Sequence, residues 1–92
     1  MTYPVSFRPL GYQQITDLSV AVGLTIPAGA SVAFVTASVA TVRFRDDGVD
    51  PTASVGYPMA IGEERIIAGP IAALKFIQQS AGAVLDVLYY GA

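Results

Sequence analysis

The stretch VLDVLYY, residues 84–90, decides the fold class. It contains neither Gly nor Pro and is rich in β-branched and aromatic residues, as β-strands are. Successive side chains of a strand point to opposite faces of its sheet. One face would carry Leu85, Val87 and Tyr89, and the other Val84, Asp86, Leu88 and Tyr90. Because both faces are largely apolar, the pattern predicts a central strand or a strand covered by a neighbouring subunit.

Similar runs lie between the Gly and Pro residues that interrupt the rest of the chain. We predict further strands over Arg65–Ala68 and Ala73–Gln79, a hairpin of Val32–Val35 with Val39–Arg45, and a bulged strand within Tyr12–Leu24. Six or seven strands spaced by about eight to twelve residues are typical of an all-β fold, here a small single-domain β-sandwich or jelly roll. Residues 12–92 would form this domain, and residues 1–11 an extended N-terminal arm.

The N-terminal arm has an apolar side. Pro4 and Pro9 lack the backbone N–H that a sheet would need, while Tyr3, Val5 and Phe7 alternate onto one face. An exposed apolar face is typical of a segment that lies on another surface. We therefore expect Tyr3, Val5 and Phe7 to bind a partner.

The composition is apolar for a chain of 92 residues, with 53% hydrophobic and 13% charged residues. The apolar runs of about five to nine residues are too short for a membrane-spanning helix, and the first residues do not resemble a secretory signal. Five Lys and Arg residues and a net charge of −2 give no basic stripe for nucleic acid. We expect neither membrane nor nucleic acid as a partner, but other protein chains, including further copies of this one.

Histidine and cysteine are absent, which excludes an imidazole-based triad, a thiolate nucleophile and a His or Cys zinc site. A carboxylate pair for glycoside cleavage is the remaining catalytic arrangement. Its candidates are Asp46, Asp47, Asp50, Glu63 and Glu64. Neighbouring carboxylates in turns are usually solvated, so we predict that the protein is not an enzyme and uses no cofactor.

The strand that ends at Arg45 is predicted to have two different faces. Val42 and Phe44 alternate with Arg43 and Arg45, which indicates a core side and a side that meets water or a partner. The two arginines are therefore candidates for setting the register on a partner. Together with Arg65 and Lys75, they are also candidates for ion pairs with a neighbouring subunit. An ordinary solvated face is the alternative.

The loop DDGVDP, residues 46–51, places three carboxylates around a glycine. Asp46, Asp47 and Asp50 could supply part of a Ca²⁺ shell, which needs six to eight oxygen ligands. The alternative is an acidic turn balanced by Arg43 and Arg45. Because the spacing lacks the pattern of an EF-hand loop, we favour the turn and predict no metal site.

Four tyrosines, Tyr12, Tyr57, Tyr89 and Tyr90, are candidates for a platform on which sugars stack. Aromatic residues in strands belong more often to a core or an interface, which is the alternative for this set.

Several segments resemble a family of phage proteins. They are VRFRDDGVDPTASVG at residues 42–56, a Gly-Glu turn at 62–63, ALKFI at 73–77 and AGAVLDVLYY at 81–90. With these motifs the chain resembles small virion-structural proteins of tailed bacteriophages and prophages, from about Tyr12 onward. The resemblance implies a protein of the phage particle, assembled in the host cytoplasm, that decorates or cements the head.

Taken together, these features predict a non-catalytic capsid decoration protein, a dimer or trimer bound to the major capsid protein or other virion proteins. Docking would use Tyr3, Val5 and Phe7, with Arg43 and Arg45 setting the register. One alternative is a tail-associated or fibre-associated module that binds host glycans. Another is a tail or connector subunit that assembles into rings.

Overall fold

Residues 7–92, the part of the chain that the computed structural model describes, form seven β-strands in two antiparallel sheets. The strands are β1 (Arg8–Ile15), β2 (Val32–Ser38), β3 (Val42–Arg45), β4 (Tyr57–Met59), β5 (Glu64–Ala68), β6 (Lys75–Gln78) and β7 (Val84–Gly91). Sheet A has the order β1-β7-β2-β5, and sheet B has the order β4-β3-β6. The predicted all-β, sandwich-like fold class is confirmed. Within this range, no helix is long and apolar enough to cross a membrane.

The stretch VLDVLYY forms most of β7, which lies between β1 and β2 in sheet A. Its inward residues Leu85, Val87 and Tyr89 are buried. Directly opposite Leu85 and Tyr89 on β2 lie Ala37 and Ala33. Small residues face large ones, which lets the side chains interdigitate at the density of a protein interior. The prediction of a central strand is confirmed.

The core fills the space between the sheets. Sheet B contributes Val42, Met59 and Phe76, and Leu18 joins them from the segment after β1. Phe44 packs against the same cluster, so the predicted core side of β3 is confirmed.

The predicted hairpin between Val32–Val35 and Val39–Arg45 is wrong. β2 belongs to sheet A and β3 to sheet B. The chain changes sheets at Val39, whose φ of 73° lies in the left-handed region that β-branched residues rarely adopt. A sheet-to-sheet crossing and a hairpin both need a short turn between apolar runs, so the pattern alone does not separate them.

The predicted strand within Tyr12–Leu24 lies further toward the N-terminus. β1 spans Arg8–Ile15 and its register shifts between Pro9 and Gly11, so the bulge also lies earlier than predicted. Residues 8–11, which the sequence assigned to the arm, are therefore part of β1 in sheet A. After β1 the chain crosses to sheet B, where Val22 forms a bridge with Phe76.

Candidate protein-binding surface

The outward side chains of sheet A form rows that cross all four strands. In the first row, Tyr12 lies opposite Leu88, Leu88 opposite Phe34, and Phe34 opposite Ile66. In the second row the same pairings join Pro9, Tyr90, Val32 and Ala68. We call these eight residues the outer apolar face. Apolar side chains thus extend from one edge of sheet A to the other.

The first row of this face is open to solvent. Ile66 is 70% exposed, Tyr12 60% and Leu88 41%. A lone exposed apolar residue on a small domain needs no explanation, but a contiguous patch of them is typical of an interaction site. The outer apolar face is therefore the candidate interaction surface of the described residues.

A polar row borders the outer apolar face. Its central residue, Asp86, lies between Gln14 on β1 and Thr36 on β2. The Tyr12 hydroxyl donates to Asp86 Oδ1 at 2.7 Å, and Gln14 Nε2 donates to the same oxygen at 3.1 Å. The bond to Asp86 raises the pKa of the Tyr12 phenol. Because its hydroxyl is hydrogen-bonded to Asp86 in the polar row, the Tyr12 ring is positioned at the border of the face.

Arg43 holds the loop between β3 and β4 against the sheet. Its Nη1 donates to the Gly56 carbonyl oxygen at 2.8 Å, and its Nε donates to Gln79 Oε1 at 3.0 Å. Gly56 has φ 146°, and an added Cβ there would lie 3.0 Å from Pro51 Cβ and 3.1 Å from Arg43 Cβ. Any other residue would strain the backbone at this φ and would have to displace these neighbours, which accounts for the glycine. The role of Arg43 that the structure shows is therefore structural, within its own chain.

Arg45 is paired within its own loop. Its Nη2 lies 2.6 Å from Asp47 Oδ2 and its Nε donates to Oδ1 at 3.1 Å, a bidentate arrangement. The Arg45 guanidinium lowers the pKa of Asp47 to about 2, with help from the Val49 N–H. This geometry is the charge-balanced turn that the sequence offered as the alternative to a cation site.

The candidate Ca²⁺ ligands do not converge. Asp47 is occupied by Arg45, and Asp50 lies 3.9 Å from the Lys75 ammonium. Among residues 7–92, no three His, Cys, Asp or Glu side chains are grouped so as to hold a metal ion.

The four tyrosines do not share one platform. Tyr89 lies in the core and Tyr12 on sheet A, whereas Tyr57 lies on β4 of sheet B. Tyr57 lines an open pocket of about 270 Å³ together with Phe44, Arg45, Asp46 and Arg65. The Arg65 guanidinium lies 5.3 Å from the centre of the Tyr57 ring and binds Glu63 at 2.6 Å. One face of that ring is thus already covered by a cation.

The predicted docking residues are not brought together by the described structure. Phe7 is exposed just before β1 of sheet A, whereas Arg43 and Arg45 lie on sheet B. Tyr3 and Val5 lie outside the described residues.

The outer apolar face was not predicted as a site, although its signal was present. The outward residues Leu88 and Tyr90 of β7 stood out as a second apolar face. Phe34 and Ile66 belong to strands predicted separately, and only the register of sheet A shows that they join Leu88 in one row.

Comparison with protein-family models, with curated proteins and with solved structures finds no match for this chain.

Proposed function

We propose that the chain is a non-catalytic structural protein of a tailed-phage particle, a decoration or cement protein that stabilises the head by packing on the major capsid protein. The observation that carries the proposal is the outer apolar face of sheet A. The phage context comes from the sequence resemblance over residues 42–56 and 81–90.

The shape of the face supports a protein as the ligand. Four strands spaced by about 4.8 Å give a face about 19 Å wide, and two rows of side chains extend it along the strands by about 13 Å. Tyr12, Leu88 and Ile66 are exposed, whereas Val32 in the second row is buried, and the polar row borders one side of the face. This arrangement resembles the apolar centre and polar rim of a protein interface.

The dimensions also favour a repeated contact over a solitary one. A face of this size is smaller than the ~800 Å² per partner of a standard interface. On a shell, many copies sit on equivalent sites, and small contacts then act together. A decoration protein therefore makes use of a surface that would bind a single soluble partner weakly.

The test uses the phage or prophage particle whose genome carries the gene. Particles lacking this chain are mixed with purified protein, and bound copies are counted by quantitative mass spectrometry and located by electron microscopy. We expect many copies on the head. Leu88→Asp should weaken binding at least about thirtyfold, because a charge would replace a central apolar contact.

Val20→Asp is the matched control, since Val20 is 66% exposed but belongs to the segment that crosses to sheet B. It should bind like the unchanged protein. The proposal is overturned if the protein does not bind particles, if it binds the tail alone, or if Leu88→Asp binds normally.

A second function, recognition of host glycans by a tail-associated module, is favoured by the pocket at Tyr57. The pocket combines an exposed aromatic ring with the charged groups of Asp46 and two arginines, a mixture that suits sugars. Binding to an immobilised glycan that is lost in Tyr57→Ala, without binding to heads, would favour this function over decoration.

A further inference from the structure

Three of the four sheet edges among residues 7–92 are blocked against further strands. β1 contains Pro9 and the register shift beside it, and β4 is three residues long and contains Pro58. The edge of β6 is covered by the segment after β1, through the bonds from Gln78 N–H to Leu18 O and between Val22 and Phe76. Proline, bulges and covering segments are the devices that keep edge strands from pairing.

β5 is the edge that has none of these three devices, and its two charged residues, Glu64 and Arg65, are of opposite sign. It spans Glu64–Ala68, contains no Pro, and pairs with β2 in an unbroken register. The Gly69 N–H donates to the Ser31 carbonyl oxygen. This bond shows which residues of β5 direct their backbone N–H and C=O groups toward β2 and which direct them away. Arg65 and Ile67 therefore direct their backbone groups toward β2, and Glu64, Ile66 and Ala68 direct theirs outward.

We propose that β5 pairs antiparallel with β5 of a second copy, with the two-fold axis at Ile66. Each copy would then donate and accept backbone hydrogen bonds at Glu64, Ile66 and Ala68. Glu64 would lie opposite Ala68 of the second copy, and Arg65 opposite Ile67 of the second copy.

Charge and backbone geometry select this register over its neighbours. A shift of the second strand in one direction places Glu64 opposite Glu64 of the second copy, or Arg65 opposite Arg65 of the second copy. Like charges that lie directly opposite each other destabilise a sheet. A shift in the other direction brings Pro70, which has no N–H, opposite Glu64. Only the register centred on Ile66 pairs all five residues without either penalty.

The pairing also extends the outer apolar face. With Ile66 beside Ile66 of the second copy, the row Tyr12, Leu88, Phe34, Ile66 continues across eight strands, about 38 Å. The pairing does not depend on the particle proposed above, since it is a property of the β5 edge alone. Because five residues per copy is well below the ~20–30 of a standard interface, we expect a weak dimer that forms at high concentration.

The experiment measures the dissociation constant of the full chain by analytical ultracentrifugation up to about millimolar concentration. Ala68→Glu would place two carboxylates opposite each other twice per dimer and should weaken it roughly twofold to thirtyfold. Adding Glu64→Lys to Ala68→Glu turns both repulsions into attractions and should restore or exceed the original affinity. Both positions are exposed, so the fold tolerates the changes, and circular dichroism confirms it for each variant.

Val20→Glu is the control for added charge away from the edge and should not change the dissociation constant. The pairing is overturned if the chain stays monomeric over the whole range. It is also overturned if Ala68→Glu leaves the dimer unchanged, if the double variant does not recover, or if dimerisation is lost only when residues 1–6 are removed. None of these outcomes bears on head binding, which is measured separately.

Discussion

β7 presents Leu85, Val87 and Tyr89 to the interior of the sandwich, and Leu88 and Tyr90 to the outside. The residue types on its two faces are nearly the same, but the first set is covered by sheet B and the second is not. Apolar burial contributes about 25 cal/mol for each Å² removed from water. The inner face makes that contribution almost in full, since its three residues are at most 1% exposed, whereas Leu88 on the outer face is 41% exposed. The exposed part of the outer face retains this capacity for another molecule.

The difference between the faces extends to their polar groups. On the inner side, the Tyr89 hydroxyl reaches the sheet margin and donates to Gln13 Oε1 at 2.6 Å. On the outer side, the Tyr12 hydroxyl donates to Asp86 in the open polar row. Burial raises the pKa of Tyr89, whereas the hydrogen bond to Asp86 is the main cause for Tyr12. Tyrosine thus has two roles in sheet A. Tyr89 packs in the core, whereas Tyr12 lies at the border of the outer apolar face.

The largest effect expected is on stability, from one substitution made on each face of β7. Leu85→Ala removes a fully buried side chain and should lower the free energy of unfolding by about 2–5 kcal/mol. Leu88→Ala, three residues away on the outer face, should change it by no more than about 0.5 kcal/mol. Urea unfolding followed by circular dichroism measures both. A loss at Leu88 as large as that at Leu85 would show that the outer face is covered within the chain.

A smaller effect is expected from the hydroxyl of Tyr89. Tyr89→Phe keeps the buried ring and removes the hydrogen bond to Gln13, at a cost of about 0.5–1.5 kcal/mol in the free energy of unfolding. The control is a double-mutant cycle with Gln13→Ala, in which the effect of Tyr89→Phe should largely disappear. An unchanged cost in the Gln13→Ala background would contradict the assignment of this bond to the stability of the inner face.

The strand content and the central place of β7 could be predicted because period-two patterning is a local property of the chain. The same holds for the turns before β2, β5 and β7, where Gly29, Gly62 and Gly82 have φ of 84°, 81° and 91°. These are values that glycine adopts without strain.

The pairing of strands could not be predicted from the same patterns. Val39 ends one apolar run and begins the next, and whether the chain turns back or crosses to the other sheet depends on contacts with residues distant in sequence. The candidate surface was missed for the same reason, since Tyr12, Leu88, Phe34 and Ile66 meet only through the register of four strands. Arg45 and Asp47, two residues apart, could be paired from sequence because their contact is local.

The smallest effect expected is the pH dependence of the bond between Tyr12 and Asp86, which tests the outer border alone. The folded pKa of Tyr12 is raised above its ordinary value of 10.0. A raised pKa means that the bond stabilises the fold below the pKa of the unfolded chain, and that this contribution is lost as pH rises through the folded pKa. The difference in unfolding free energy between the unchanged protein and Tyr12→Phe should therefore be constant at neutral pH and shrink above about pH 10.

Asp86→Asn is the control, because without the carboxylate the difference should no longer follow that course. Phenolate absorbance, taken as the difference between the unchanged protein and Tyr12→Phe, gives the pKa directly. A value at or below the ordinary one would contradict the hydrogen bond to Asp86 that holds the Tyr12 ring at the border of the outer apolar face.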